Sequence, residues 1–170
     1  MSLVWKNLQN LASNKFAGVE NKPGIYFVRW VKNEKPVMLN RLGGSDSNGL
    51  LYVGESVDLR KRFQRIWRGI EKVHKTSETL DTLSRRIVFC NLHKEIKSDE
   101  YEIIWQHLST KVEAQVQTAA ALKVYIEKFR ELPPLNLQVC TRKYLGWGLN
   151  FFDQSSWSAE PNDFVKSIIF

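Results

Sequence analysis

The chain has 170 residues, 43% of them hydrophobic, and carries 25 Lys and Arg against 18 Asp and Glu, for a net charge of +7. That length and composition describe one domain able to bury a core, and they exclude a disordered chain. Two cysteines exclude a disulfide framework, and no apolar run reaches the ~18 residues of a membrane helix. Residues 1–13 show no signal-peptide pattern, and Cys90 sits in the apolar run Ile87-Val88-Phe89-Cys90. A buried, reduced thiol and a cytoplasmic protein are therefore expected.

Leu3, Val4, Leu8 and Leu11 recur at helical spacing and predict a helix within residues 1–20. Asn21 to Gly24 is a turn signal, and Ile25 to Val31 reads as a strand. Asn40 to Gly49 is glycine-rich and reads as a loop, with a strand piece at Pro36 to Leu39 before it. Leu50 to Gly54 is the returning strand of an enlarged hairpin. Ser56 predicts an N-cap, with Asp58 in the first turn where a carboxylate favours the helix dipole. Apolar residues at 59, 63, 66, 67 and 70 then give a clear amphipathic helix that weakens at Gly69. Ser77 to Arg85 predicts a second helix, while Arg86 to Leu92 and Glu102 to Leu108 read as strands. Thr110 to Glu113 is a capping-box pattern opening a helix to about Glu131, stopped by Pro133 and Pro134. Residues 139–170 form an aromatic-rich extension expected to wrap the core, and no domain linker divides 1–170.

The charge is concentrated. Between Arg60 and Lys75 there are seven Lys or Arg and one acid, Glu71. Such a stripe is either the footprint of a nucleic-acid surface or a solvated helix face. Lys61, Arg65 and Arg68 point outward on the helical period and are candidates for the DNA backbone, together with Arg60 and Lys72. Arg62 lies about 40° around the helix from Ile66 and can lean over the sheet. Arg60 borders the stripe on its other side, so periodicity does not choose between the two. Tyr26 and Tyr52 fall on the paired strands. Each alone is as well explained by packing with a satisfied hydroxyl. As a site residue, a phenol is a poor base at its ordinary pKa of about 10, and adjacent cationic charge is expected to lower it.

Gly24-Ile25-Tyr26, Tyr52-Val53-Gly54, Asp58-Leu59, Arg62 and Pro133-Pro134-Leu135-Asn136 occur in that order. Over residues 22–138 the pattern resembles the GIY-YIG nuclease family. The resemblance implies an α+β fold, a small central antiparallel sheet flanked by helices. It also implies a DNA endonuclease using one divalent ion, Mg²⁺ or Mn²⁺. In that picture Tyr26 activates water, Tyr52 assists, Arg62 steadies the phosphoryl charge and Asn136 braces the site.

Three departures stand out. An insertion falls near Lys35 to Gly49. Ile66 stands where the family often has His or Tyr, so His74 is a candidate for that role, or else a surface histidine. The family's metal-binding helix glutamate corresponds to the stretch Thr118 to Leu122, which holds no carboxylate, and Ala119 is the best single position for it. Glu113 reads as a capping residue. Glu127 and Glu131 fall away from Val112, Val116, Ala119 and Ile126, the face expected to meet the sheet, and so are expected in solvent. The expectation is a restriction-type or small selfish endonuclease, either intact or in a catalytically impaired form. The alternative is a non-cleaving DNA-binding module on the same fold, or an interaction protein with core tyrosines.

Overall fold

The computed structural model describes residues 4–75, 82–136 and 160–170, and side chains at 73–75 lie outside that description. The fold is α+β: a five-stranded antiparallel sheet packed against helices on both faces. Its strands are β1 (Lys6–Asn7), β2 (Gly24–Lys32), β3 (Lys35–Pro36), β6 (Leu50–Ser56) and β7 (Tyr101–His107). A separate two-stranded hairpin, β4 (Leu39–Arg41) with β5 (Gly44–Asp46), occupies the insertion. The helices are α1 (Leu8–Ser13), α2 (Leu59–Lys75), α3 (Thr82–Phe89), α4 (Lys111–Phe129) and α5 (Asp163–Ile169). None among the described residues is long and apolar enough to cross a membrane.

β2 is the centre. It pairs with β7 along one edge and with β6 along the other, while β3 pairs with its far end. Its residues alternate between two cores. Tyr26 and Val28 meet α1, α2 and α3 on one face, and Ile25 and Phe27 meet α4 and α5 on the other. The register is pinned by Arg29 opposite Glu102, an ion pair of 2.6 Å between β2 and β7. A bulge at Leu51 lets it share the first core with Tyr52.

The α2 stripe lies where the spacing predicts: Leu59, Phe63, Ile66 and Ile70 are buried and Trp67 packs beside them. Asp58, not Ser56, caps the helix, its Oδ1 accepting the Lys61 N–H at 2.9 Å. Ser56 instead closes a turn with Asp58. Near the N-terminus the helix is only Leu8–Ser13, preceded by Lys6–Asn7 paired to β7. The strand expected from Arg86 to Leu92 is instead the helix α3 and the turns after it. Leu83 and Ile87, four apart, are buried while Phe89 is 77% exposed, a pattern that helical geometry produces. Cys90 follows α3 as a half-buried thiol rather than a buried one. Of the C-terminal extension, α5 packs on the α4 face through Val165, Ile168 and Ile169. Cys140 and the aromatic residues 144–157 lie outside the described residues.

The insertion is tied down rather than loose. Asp46 is buried and accepts the N–H groups of Asn48 and Leu50 and the Tyr125 hydroxyl of α4. Glu131, expected in solvent, pairs with Arg41 at 2.9 Å and accepts the Leu42 N–H. That correction follows from the hairpin, which reaches the end of α4.

Candidate active site

The register sets the site. Tyr26 lies opposite Gly54 and Val28 opposite Tyr52, so both tyrosines project from one face, with ring centroids 6.0 Å apart. Gly54 makes that approach possible. A Cβ there would stand 2.6 Å from Tyr52 Cε1 and 2.7 Å from Tyr26 Cζ and Oη. Its φ is not in the left-handed region, so the need is for space alone. Gly24 is equally confined, its absent Cβ falling 2.2 Å from the Gln106 carbonyl oxygen and 2.6 Å from Leu59 Cδ1.

α2 brings the guanidinium. Arg62 Nε donates to the Tyr26 hydroxyl at 2.8 Å. Arg60 turns the other way and donates to the Lys15 carbonyl at 3.1 Å, which settles the ambiguity the helical period left. Phe63 stands edge-on to Tyr26 at 5.5 Å and to Trp105 at 5.3 Å, fixing the ring from behind.

Asn136 acts on the outer edge of β6. Its Oδ1 accepts the Val53 N–H and its Nδ2 donates to the Val53 carbonyl, both at 2.9 Å. The amide thus takes the place of a neighbouring strand. Leu135 N–H donates to the Leu51 carbonyl at 2.9 Å just before it. Asn136 therefore braces the strand carrying Tyr52 and Gly54.

With the positive charge of Arg62 alone beside it, the Tyr26 phenol is shifted upward, not downward. Tyr26 is fully buried, and burial, then the neighbouring Tyr52, pushes its phenol far above the ordinary value. The charge and hydrogen bond of Arg62 pull the other way without prevailing. A neutral, enclosed hydroxyl that takes an N–H from Arg62 orients that arginine. Tyr52, 8% exposed, is the phenol nearer the surface.

Two further side chains, neither singled out from the sequence, bear on the group, one by contact and one by charge. Arg86 of α3 lies with Cζ 5.6 Å from the Tyr52 ring centroid, and its Nη1 donates to the Leu135 carbonyl at 2.8 Å. Reading residues 83–87 as helix, with Leu83 and Ile87 inward, would have put Arg86 on the flank facing the sheet. Glu55 follows Gly54 on β6, opposite Ile25 and so on the other face of the strand from Tyr52, and is half-buried. Burial pushes its carboxyl up, while its own backbone N–H, Arg62 and Lys111 draw it down. Its place within the motif was the available signal.

The basic stripe divides. Lys61, Arg65 and Arg68 are exposed; Lys61 also lies 3.4 Å from Asp58. Lys72 is half-buried and engaged with a neighbour. The backbone of His74 continues α2, and its side chain lies outside the described residues. Ile66 is wholly buried beneath the stripe.

α4 packs on the opposite face of the sheet, and its phase differs from the expectation. Ala121, Leu122, Tyr125 and Phe129 join the core, while Val112 is 55% exposed and Val116 and Ile126 are only half-buried. Thr118 is buried because its hydroxyl donates to the Ala114 carbonyl at 2.8 Å. Glu113 lies in the cap: its N–H goes to Thr110 Oγ1 as expected, but its Oε2 accepts from the Ser109 N–H and not from that of Thr110, so the box is not fully reciprocal. Glu127 is exposed. Gln117 accepts the Asn162 N–H, and Asn162 reaches Gln106 of β7, so this flank of α4 faces β7. Ala119 lies about 200° around the helix from Gln117 and is fully buried. Among the described residues no group of three or more His, Cys, Asp or Glu could hold a metal ion. Ala119, the position that the resemblance assigns to the metal ligand, offers no oxygen donor.

No family model, curated protein or solved structure matches this chain.

Proposed function

We propose that this chain engages DNA phosphodiesters in the manner of a GIY-YIG endonuclease, in a form whose hydrolysis is weak for want of the helix carboxylate. The observation that carries the reading is the 2.8 Å bond from Arg62 Nε to Tyr26 Oη beside Tyr52. It joins three residues of one sequence motif, from three elements, into a single group. The exposed Lys61, Arg65 and Arg68 on the same helix supply the electrostatic attraction for the backbone.

In this reading Arg62 holds a phosphoryl oxygen, oriented by Tyr26. Tyr52 lines the mouth. Asn136 keeps β6 in register and touches no substrate. Glu55, half-buried near the end of β6 and under the electrostatic influence of Arg62, is the candidate carboxyl group for accepting a proton from attacking water. A non-cleaving DNA-binding module is the second reading, favoured by the buried alanine at 119.

The test is a plasmid nicking assay with Mg²⁺, paired with a DNA-binding titration. The chain as it stands should bind and nick slowly, and Arg62→Ala should abolish nicking. Binding without any nicking would favour the second reading. No binding at low salt would end both.

A further inference from the structure

Arg86 is fixed at the site, yet the fold does not use up its charge. Its guanidinium offers five N–H groups. One Nη1 bond goes to the Leu135 carbonyl, and no carboxylate pairs with Arg86 among the described residues. It is half-buried over the Tyr52 ring, in a chain of contacts running from Arg62 to Tyr26 to Tyr52 to Arg86 with steps of 5.9, 6.0 and 5.6 Å. Arginine held against a ring and a carbonyl keeps a preorganised fork for phosphate.

We infer that Arg86 is a second phosphate-binding arginine, which grips a DNA backbone phosphate next to the one held by Arg62. The inference rests on the proposed DNA reading and names a further residue for it. The two guanidiniums come from separate helices, α2 and α3, on the same face of the sheet. One strand of DNA laid across the tyrosine pair would meet Arg62 first and Arg86 beyond Tyr52. The competing role is structural: Arg86 would only secure the Leu135 carbonyl, and with it the Asn136 brace.

Salt dependence separates the two roles. A phosphate contact contributes about one unit to the slope of log affinity against log salt, and a purely structural arginine contributes none. Fluorescence anisotropy with a labelled DNA duplex should give a slope for Arg86→Gln shallower than the unsubstituted chain by about one. Arg86→Lys, which keeps the charge, should keep the slope even if its melting temperature falls. An unaltered slope in Arg86→Gln overturns the inference while the DNA reading stands. No salt-dependent DNA affinity in the unsubstituted chain overturns both. Should Arg86→Gln fail to fold, the Nε–H NMR signal of Arg86, identified by its loss in Arg86→Lys, gives the answer. That signal should shift on adding a short oligonucleotide, and a signal that stays fixed at saturating DNA overturns the inference.

Discussion

Adding one methyl group to Gly54 tests whether the site is a product of close packing. The Cβ of Gly54→Ala would stand 2.6 Å from one tyrosine ring and 2.7 Å from the other, well inside van der Waals contact. Neither ring can simply retreat. Tyr26 is backed by Phe63 and bonded to Arg62, and the Val53 backbone beside Gly54 is held by Asn136. Overpacking of this kind costs about 1–3 kcal/mol. For a chain of this size that corresponds to a melting temperature lower by roughly 2–12 °C. Differential scanning calorimetry gives the stability, and the nicking and binding assays give the function. Hydrolysis should be lost, because Tyr26 and Arg62 move together. DNA affinity should persist, because Lys61, Arg65 and Arg68 are outside the clash. Tyr52→Leu in the same chain should restore part of the stability, with a coupling of about 0.5–3 kcal/mol, since it removes the closest of the three contacts. A Gly54→Ala protein with unchanged melting temperature and unchanged nicking would refute the packing account of the motif.

Lys61→Ala with Arg65→Ala should weaken binding to every DNA sequence alike and reduce the salt slope by about two, read by anisotropy. Asn136→Ala removes two buried bonds to Val53 and should cost about 1–3 kcal/mol in urea unfolding, with nicking lost at the same time. Glu55 has a folded pKa above its ordinary 4.5, so the native state binds its proton more tightly, and stability falls as pH rises from 4.5 through the raised value. Glu55→Gln should therefore melt higher than the parent at pH 7, with the difference shrinking below pH 4.5, while nicking disappears. Ala119→Glu places a carboxylate where there is now no exposure; it should lower the melting temperature in EDTA, and Mg²⁺ should recover part of the loss and raise nicking.

Much of this arrangement is legible in the sequence where local pattern and tertiary packing agree. Leu59, Phe63, Ile66 and Ile70 repeat on one helical face, and that face is the one that packs. The two tripeptides lie on strands whose register follows from their alternation. Legibility fails where the local pattern is weak. The run Ile87-Val88-Phe89 has strand composition, yet Leu83 and Ile87 are the residues buried, so packing overrides propensity. On α4 the alanines carry little hydrophobic contrast, and Thr118 counts as polar until its hydroxyl is seen bonded within the helix. The phase of that helix could not be fixed from Val112 and Val116. The choice between Arg60 and Arg62 needed the third dimension, because only the Tyr26 hydroxyl distinguishes the two flanks.

The motif residues separate into those that the fold alone explains and those that it does not, and the separation decides what a motif match implies. Gly24 and Gly54 make space, Asp58 caps α2, and Asn136 stands in for a strand. None of these needs a substrate to explain it. Tyr26 is enclosed and orients Arg62. Most of the pattern therefore specifies how β2, β6 and α2 dock, a geometry that a nuclease and a binding module could share equally. In the proposed reading the chemistry depends on fewer groups: Arg62, Tyr52, and a carboxylate. With alanine at 119, Glu55 is the carboxylate that the field of Arg62 reaches. Comparing Glu55→Gln with Ala119→Glu therefore separates the two readings more sharply than any substitution of the tyrosines. If Glu55→Gln removes a slow native nicking activity, this chain hydrolyses DNA through the strand carboxylate. If only Ala119→Glu nicks, the fold retains a nuclease frame whose present use is to hold DNA.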